Sequence, residues 1–456
     1  MNLPTFSGGI HPPENKHLSS AYAIEDAMPS TKTVAIPVTQ GGAANVPCVT
    51  VGNSVAKGQI IADGTGAFSV PVHASIAGIV KKIEPRLVTG NTESLCVIIE
   101  ADGTERTNYL EPLNPFECDK TTAIDRIRLC GIVGMGGAAF PTHVKLNVPS
   151  EKPIDCIIAN AAECEPYLTI DERSLIEEAE KIIDGLSISM HLTGAKRAII
   201  AVENNKSYTT EHLKNIIAKS EKQNIEVQLV ETKYPQGGEK VLIKAILGRE
   251  VPSKKLPADV GCVVQNVGTL IAISDAFRLG KPLVDRALTI SGSGCEVAKN
   301  LRVPIGTLIG DLIPEVIKLN PGVKKIISGG PMMGFSMLNA MFPVQKNTSG
   351  VLFLMEKEVS LLAETPCIGC GNCINSCPCG LTPVMMLRSI KAEDIDSAKK
   401  YGLMDCMECG SCSFVCPAKV RLVQYFRLGK IKACAAMEKA KAQISAKKEP
   451  FNECTI

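Results

Sequence analysis

The sequence predicts a multidomain α/β chain: a β-rich N-terminal sandwich, a parallel-sheet α/β domain, a small β domain and a helical C-terminal unit. Three observations predict it. Short apolar β segments punctuated by Gly and Pro fill residues 31–110. From about residue 120, apolar runs alternate with helical stretches, the grammar of a parallel sheet. Near the C-terminus, eight of the 19 cysteines fall in two copies of C-x-x-C-x-x-C-x-x-x-C-P. With 456 residues, 45% hydrophobic and 21% charged, the chain has the ordinary composition of proteins with several cores.

Residues 1–30 are polar, carry Pro12, Pro13 and Pro29, and read as an extended arm. Residues 31–118 form the sandwich-like domain, with strands expected at TVAIPV, CVTV, QIIAD, FSVPVHA, AGIVKKIE and SLCVIIE. The stretch from Val51 to Ile83 resembles a biotinyl/lipoyl-type domain. That family carries its cofactor on a hairpin-tip Lys; the corresponding tip here is Gly66-Ala67-Phe68, which argues against a swinging arm. Residues 119–283 form the α/β domain, with strands at 156–160, 197–202, 225–231 and 261–266 and helices at 171–190, 208–220, 238–248 and 267–279. Residues 284–345 return to short strands and turns and resemble the small β-grasp module called SLBB. Residues 346–430 hold both cysteine runs, and 431–456 read as a solvated Ala- and Lys-rich helical tail.

The first run is Cys367, Cys370, Cys373 and Cys377; the second is Cys406, Cys409, Cys412 and Cys416; a proline closes each. This is the spacing of two-cluster bacterial ferredoxins, in which the fourth cysteine of each run ligates the other cluster. One [4Fe-4S] cluster is then held by Cys367, Cys370, Cys373 and Cys416, the other by Cys406, Cys409, Cys412 and Cys377. Zinc sites also use four thiolates, often as separated C-x-x-C pairs, but they need neither the tight triplet nor the closing C-P. With no signal-peptide pattern at the N-terminus, disulfides are disfavoured and a reducing compartment is expected. Cys379 is expected to pack beside the first run, and the scattered cysteines 48, 96, 118, 130, 156, 164, 262, 295, 434 and 454 to be small buried hydrophobes.

Four loops upstream have the chemistry of a flavin and nucleotide site. In CGIVGMGGAAFPTHVKL, Gly131, Gly134, Gly136 and Gly137 let backbone N–H groups approach a phosphate or flat ring, and Lys145 supplies a movable cation. The loop lacks the G-K-[ST] ending of a Walker loop and follows a helix, unlike a dinucleotide fingerprint; alone, it reads equally as a structural turn. After strand 156–160 come Asn160, Glu163 and Glu165, acceptors for ribose hydroxyls, a carboxamide or a flavin edge. Tyr234 to Glu239 opens a helix, where Glu239 also suits the dipole. Gln265, Asn266 and Thr269 close a strand and start a helix, where Asn266 also suits an N-cap.

These loops resemble those of the flavoprotein subunit of respiratory complex I: GMGGAAFPTHVK its GRGGAGFPTGxKW, NAAECEP its NADExEP, YPQGGE its YxCGEE, and VQNVGT its NNVET. Together with GGIHPPENK, NAAECEPYLTIDER and the double cysteine run, they make nearly the whole chain similar to the RnfC family. The resemblance implies that Gly134, Gly136, Gly137 and Lys145 hold non-covalent FMN and nucleotide phosphate. It places Asn160 against the flavin, with Glu163, Glu165, Tyr234, Gly237, Glu239, Gln265 and Asn266 shaping the flavin and nicotinamide site and Phe140 stacking on adenine. Met135, Ala162, Gly238, Leu146 and Val148 stand where complex I has Arg, Asp, Glu, Trp and an aromatic, so adenine stacking is weaker or draws on other residues.

The implied function is exchange of hydride with NAD(H) at FMN and relay of single electrons through the two clusters to or from partner subunits, coupling ferredoxin/NAD chemistry to ion translocation. No side chain need act as acid or base; Glu239 and Glu165 lie near the reacting rings. No apolar run approaches the ~18 residues of a membrane span, so the chain is expected at the cytoplasmic membrane face, beside ferredoxin-like electron-carrying and membrane-spanning Rnf subunits. A net charge of +2 gives no case for nucleic acid. The competing readings are a reductase for another acceptor such as cobalamin, whose relatives begin almost at the glycine loop, and a non-catalytic Fe–S module.

Overall fold

The computed structural model describes residues 3–220, 224–360 and 362–446. His11–Ser360, with residues 3–5, form one compact unit; Phe6–Ile10, with residues 362–446, form a second.

The arm is not free. Its Ile24–Asp26 is strand β1, and Lys16 is buried. Then β2 (Thr33–Pro37), β3 (Val46–Pro47), β4 (Ser54–Val55), β5 (Ile60–Asp63), β6 (Val72–His73), β7 (Gly78–Val88) and β8 (Thr92–Ala101) build two sheets, ordered β2-β8-β7-β4 and β3-β5-β6. Residues 48–51 are not the expected strand: only Cys48 N–H reaches Ile61 carbonyl, at 2.9 Å, and pairing lies earlier, at Val46–Pro47. The expected strand at FSVPVHA shrinks to Val72–His73. The β7–β8 hairpin is longer than apolar alternation alone indicates, because its outer half is half-exposed.

Helix α1 (Lys120–Leu129), capped by Asp119, leads into the glycine loop and α2 (Thr142–Leu146). Next come β9 (Cys156–Ala161), α3 (Ile170–Glu177), α4 (Ala179–Thr193), β10 (Arg197–Glu203), α5 (Ser207–Lys219), β11 (Ile225–Val230), α6 (Glu239–Leu247), β12 (Cys262–Asn266) and α7 (Val267–Arg278). The expected helix over 171–190 is two helices, broken at Glu178, whose φ of −129° leaves the helical region. The four strands are parallel in the order β11-β10-β9-β12. Side chains alternate: Ile157, Ala159 and Ala161 join a core with Ile182, Leu186 and Ile273, while Cys156, Ile158 and Val264 join Leu242 and Ile243. The first of these cores is continuous with Val34, Ile36, Ile61 and Val97 of the N-terminal sheets, so the sandwich and the α/β domain share one interior.

Helix α4 meets α7 closely. A Cβ on Gly185 would stand 2.0 Å from the Leu270 carbonyl oxygen. Gly185→Ala is therefore expected to destabilise by about 1–3 kcal/mol, although alanine is the better helix former by ~1 kcal/mol. A urea-unfolding midpoint followed by circular dichroism checks this.

The third sheet joins β13 (Asp285–Ser291), β14 (Lys299–Pro304), β15 (Lys325–Ser328), β16 (Phe335–Met337) and β17 (Gly350–Leu354) to β1, in the order β1-β14-β13-β17-β15-β16. The expected boundary at 345 misses β17, which lies between β13 and β15, and the expected arm misses β1, which pairs parallel with β14. Of residues 303–313 only the first two are strand; the rest is loop and a short 3-10 turn at Ile309–Leu312.

The second unit repeats a short helix and a longer one: α8 (Asn372–Asn375) and α9 (Pro383–Lys391), then α10 (Ile395–Lys400), α11 (Ser411–Phe414) and α12 (Leu422–Ala446). The expected tail over 431–456 is, as far as 446, the continuation of α12; residues 447–456, with Cys454, lie outside the described residues. Cys48 and Cys434 are exposed rather than buried, and Cys118 and Cys164 are partly buried.

Candidate functional site

The strand order reverses at β9. From β9 the chain moves outward to β10 and β11, then returns to β12 on the other side, which makes the carboxyl end of β9/β12 a topological switch point, where ligands bind in such sheets. Asn160 and Asn266 sit opposite each other there.

Three loops converge on this edge. Asn160 donates its Nδ2 to the Gly237 carbonyl at 2.8 Å, and its Oδ1 accepts from Ala162 N–H at 3.2 Å. Gly237 N–H points to Cys164 Sγ at 3.3 Å; a Cβ there would lie 2.2 Å from the Ala162 carbonyl oxygen, so only glycine fits. Glu239, first residue of α6, pairs with Lys145 of α2 at 2.5 Å. Asn266 caps α7 through Gly268 N–H and donates to Asp171 at 2.9 Å.

The glycine loop is a closed turn. Gly134 N–H donates to the Phe140 carbonyl at 2.8 Å, and Met135 N–H donates to the Thr269 hydroxyl at 2.9 Å. Gly136 and Gly137 are exposed. A Cβ on Gly136 would lie 3.4 Å from Asn266, and Gly137, at φ +113°, has open space where a side chain would stand. The buried amides of Gln236 and Gln265 add polar atoms without a partner among the described residues: both on Gln236 and Nε2 on Gln265. Glycine backbone open to solvent, Lys145 and these amides fit a phosphate-bearing flat cofactor.

Other predicted site residues face inward. Glu163 is buried, accepts from Asp171 N–H at 2.9 Å and pairs with Lys206 at 3.5 Å and Lys16 at 3.7 Å. Glu165 accepts from the Met332 and Met333 N–H groups at 3.0 and 2.8 Å; desolvation raises its carboxyl to about 7 against those two bonds. Burial, then the Glu163 charge, raises Asp171. Thr269 and Tyr234 are buried. These residues hold the loops rather than line the edge. Sequence reasoning missed Lys16, Lys206, Asp171 and Gln236. Lys16, Asp171 and Gln236 lie inside the quoted motifs GGIHPPENK, NAAECEPYLTIDER and YPQGGE; Lys206 carried no signal because its partner, Glu163, is remote in sequence. A pocket between α3, α7, β13 and β14 adjoins this edge, since Met135 of the glycine loop, Asp171 and Gly268 line it; in its wall Lys281 pairs with Asp285 and Arg302 with Glu178, while Arg286 donates to the Met135 and Thr348 carbonyls.

In the second unit, Cys406, Cys409 and Cys412 of the second run line one cavity with Cys377 of the first. Cys379 lines it too. Burial pushes the Cys406 thiol up to about 11, so these thiols ionise as metal binds. Glu408, Arg427 and Lys430 form a charged cluster beside Cys406, whose carbonyl accepts from Lys430. Cys373 is an electrostatic neighbour of Cys367 and Cys370. Thr365 N–H donates to the Ala418 carbonyl at 3.0 Å, which lays the segment entering the first run beside the one leaving Cys416. Among the described residues no three His, Cys, Asp or Glu side chains converge tightly enough for a single ion. A cubane bonds each thiolate to a different iron and spaces them more widely.

Comparison with known proteins agrees region by region. Residues 4–104 match the RnfC barrel sandwich hybrid domain, 127–275 the Nuo51 FMN-binding domain, and 360–418 a 4Fe-4S dicluster domain. The chain is 43% identical to a component of the proton-translocating ferredoxin:NAD(+) oxidoreductase complex of Clostridium ljungdahlii, covering 97% of this chain and 96% of that one. It is 40% identical to the counterpart in the Na(+)-translocating complex of Acetobacterium woodii, covering 95% and 98%. To the counterpart in the ion-translocating oxidoreductase complex of Rhodobacter capsulatus it is 38% identical, covering 94% and 83%. Relatives so similar over nearly the whole length of both chains place this protein in the RnfC family, whose members are components of ion-translocating ferredoxin:NAD(+) oxidoreductase complexes.

Proposed function

We propose that this chain is the NAD(H)-side subunit of such a complex, exchanging hydride with NAD(H) at non-covalent FMN and passing single electrons through two [4Fe-4S] clusters to or from its partner subunits. The observation that carries the reading is the convergence of Gly136, Asn160, Lys145 and Glu239 at the switch point of a parallel sheet, in a chain whose second unit gathers the cysteines of both runs.

Bound FMN supplies the conversion between a two-electron hydride and single electrons. The residues do the rest. Backbone N–H groups of Gly136 and Gly137 would bind phosphate oxygens, while Gly134, whose N–H holds the Phe140 carbonyl, would shape the turn. Lys145, held by Glu239 at 2.5 Å, turns to the phosphate, and Glu239 is released to accept from a carboxamide. Asn160, fixed by Gly237 and Ala162, orients the flat rings. Cys367, Cys370, Cys373 and Cys416 hold one cluster; Cys377, Cys406, Cys409 and Cys412 hold the other. Arg427 and Lys430 place positive charge beside the latter and favour its reduced form.

The six-stranded sheet is read as an SLBB-type β-grasp module that takes in β1 and β17. No helix among the described residues is long and apolar enough to cross a membrane. The relatives belong to ion-translocating complexes, and in the proposed reading the chain sits peripherally on the cytoplasmic face, with the ion path in membrane-spanning partners. The match of residues 4–104 to the RnfC domain favours this over a reductase for another acceptor.

Anaerobically reconstituted protein is expected to carry about eight irons and eight sulfides with one FMN, and NADH is expected to bleach flavin and cluster bands. Lys145→Ala is expected to weaken FMN binding about tenfold. A preparation with full clusters that never binds flavin overturns the reading.

A further inference from the structure

We propose that Phe68, at the hairpin tip of the N-terminal domain, joins Phe140 of the glycine loop to form the seat for the adenine ring of NADH. This rests on the NAD(H) reading above and assigns a binding role to a domain outside the flavin-binding region.

The two rings form an edge-to-face pair, with centroids 6.1 Å apart and planes at 81°. Both are exposed, Phe68 by 50% and Phe140 by 36%. Aromatics are 4% of the chain and Trp is absent, so an exposed pair at the mouth of the glycine loop is a concentration of a scarce resource. Neither ring belongs to a hydrophobic core cluster. Two perpendicular rings make a corner. A flat base lying on one of them sets its edge against the other, and such stacking needs no hydrogen-bond readout.

The backbone beneath both rings is held in place. The Phe68 carbonyl accepts from Ala43 N–H at 3.0 Å, and Ser69 N–H closes the tip on Gly66 carbonyl at 2.8 Å. His143 Nε2 meets the Ala67 carbonyl at 3.0 Å, which docks the tip onto α2. Glycine is required on the facing loop between β2 and β3. A Cβ on Gly42 would lie 2.0 Å from the Phe68 carbonyl oxygen, and one on Gly41 2.1 Å from that of Ala139. The Phe140 carbonyl in turn accepts from Gly134 N–H at 2.8 Å. The rings are thus preorganised, which limits the ordering cost of binding.

Position supplies the ligand. Gly136 faces Asn266 and the polar edge with Asn160 and Glu239; Phe140, four residues on, faces Phe68. The loop therefore presents a polar end and an aromatic end. A dinucleotide that delivers its nicotinamide to the polar end has its other base for the aromatic one. This also answers the loss of aromatics at Leu146 and Val148: the second ring comes from another domain. The tip that carries a cofactor-bearing Lys in lipoyl-type domains here carries a base-binding Phe.

The test compares NADH with reduced nicotinamide mononucleotide, which lacks the adenosine half, in NADH–ferricyanide assays of the anaerobic holoprotein. Phe68→Ala is expected to raise KM for NADH about tenfold with kcat within about twofold, to leave KM for the mononucleotide unchanged, and to be rescued by Phe68→Trp. Iron and flavin content equal to wild type establishes folding. Unchanged KM for NADH, or an equal rise for both substrates, overturns the proposal, because a merely structural tip would disturb both alike. A wild-type holoprotein that oxidises neither substrate overturns the NAD(H) reading itself.

Discussion

A Cys377→Ala chain reconstituted anaerobically is expected to carry about four irons in place of about eight. Cys377 lines the same cavity as Cys406, Cys409 and Cys412, so its loss removes a ligand from the cluster of the second run, though it belongs to the first. Combining it with Cys409→Ala makes the result decisive. If both residues serve one cluster, the double variant also keeps about four irons. If each run served its own cluster, the double variant would lose nearly all of them. NADH–ferricyanide activity is expected to persist, since the flavin loops lie in the first unit, while electron transfer to partner subunits stops. Cys379→Ala, which removes the neighbouring thiol of that cavity, is expected to keep about eight irons. Iron and sulfide analysis with spectra of the reduced protein reads all three variants against the wild type.

The second large effect is expected at Gly237. Its carbonyl accepts from Asn160 and its N–H points to Cys164 Sγ, so one residue joins the loops after β9 and β11. The Ala162 carbonyl oxygen stands 2.2 Å from where a Cβ would be, and it is backbone, unable to swing away. Gly237→Ala must push the loop outward by about an ångström, which breaks the Asn160 bond and moves Glu239 from Lys145. The expected cost is about 1–3 kcal/mol in stability, and flavin affinity falls at least about tenfold. Flavin titration of the apoprotein, with the cluster content of the second unit as internal standard, checks this; unchanged flavin affinity would remove Gly237 from the site.

Much of the fold was legible because its signals are local. The apolar runs at 156–160 and 261–266 sit within one or two residues of β9 and β12, since a strand buried on both faces is a continuous hydrophobic segment. The break between α3 and α4 was not legible: residues 171–190 keep a helical pattern through Glu178, whose turn answers to packing against Arg302, which pairs with Glu178 at 2.6 Å. Strand β1 was hidden for a related reason. Ile24–Asp26 is too short and polar to read as a strand, and it forms by pairing with β14, some 275 residues on.

The site divides the same way. Residue types and spacing alone placed the glycine loop, Lys145, Asn160, Glu239 and both cysteine runs at the ends of their elements, because spacing along the chain dictates which groups one turn or one strand end presents. Tertiary structure alone decided the rest. It turned Glu163 inward to Lys16 and Lys206 and brought Phe68 to Phe140, whereas the place of Cys377 with the second run was already legible from the ferredoxin spacing. Each of these pairings joins residues far apart in the sequence, and no period of 2 or 3.6 residues reports such a distance. They are set by which surfaces the shared core and the parallel sheet force together.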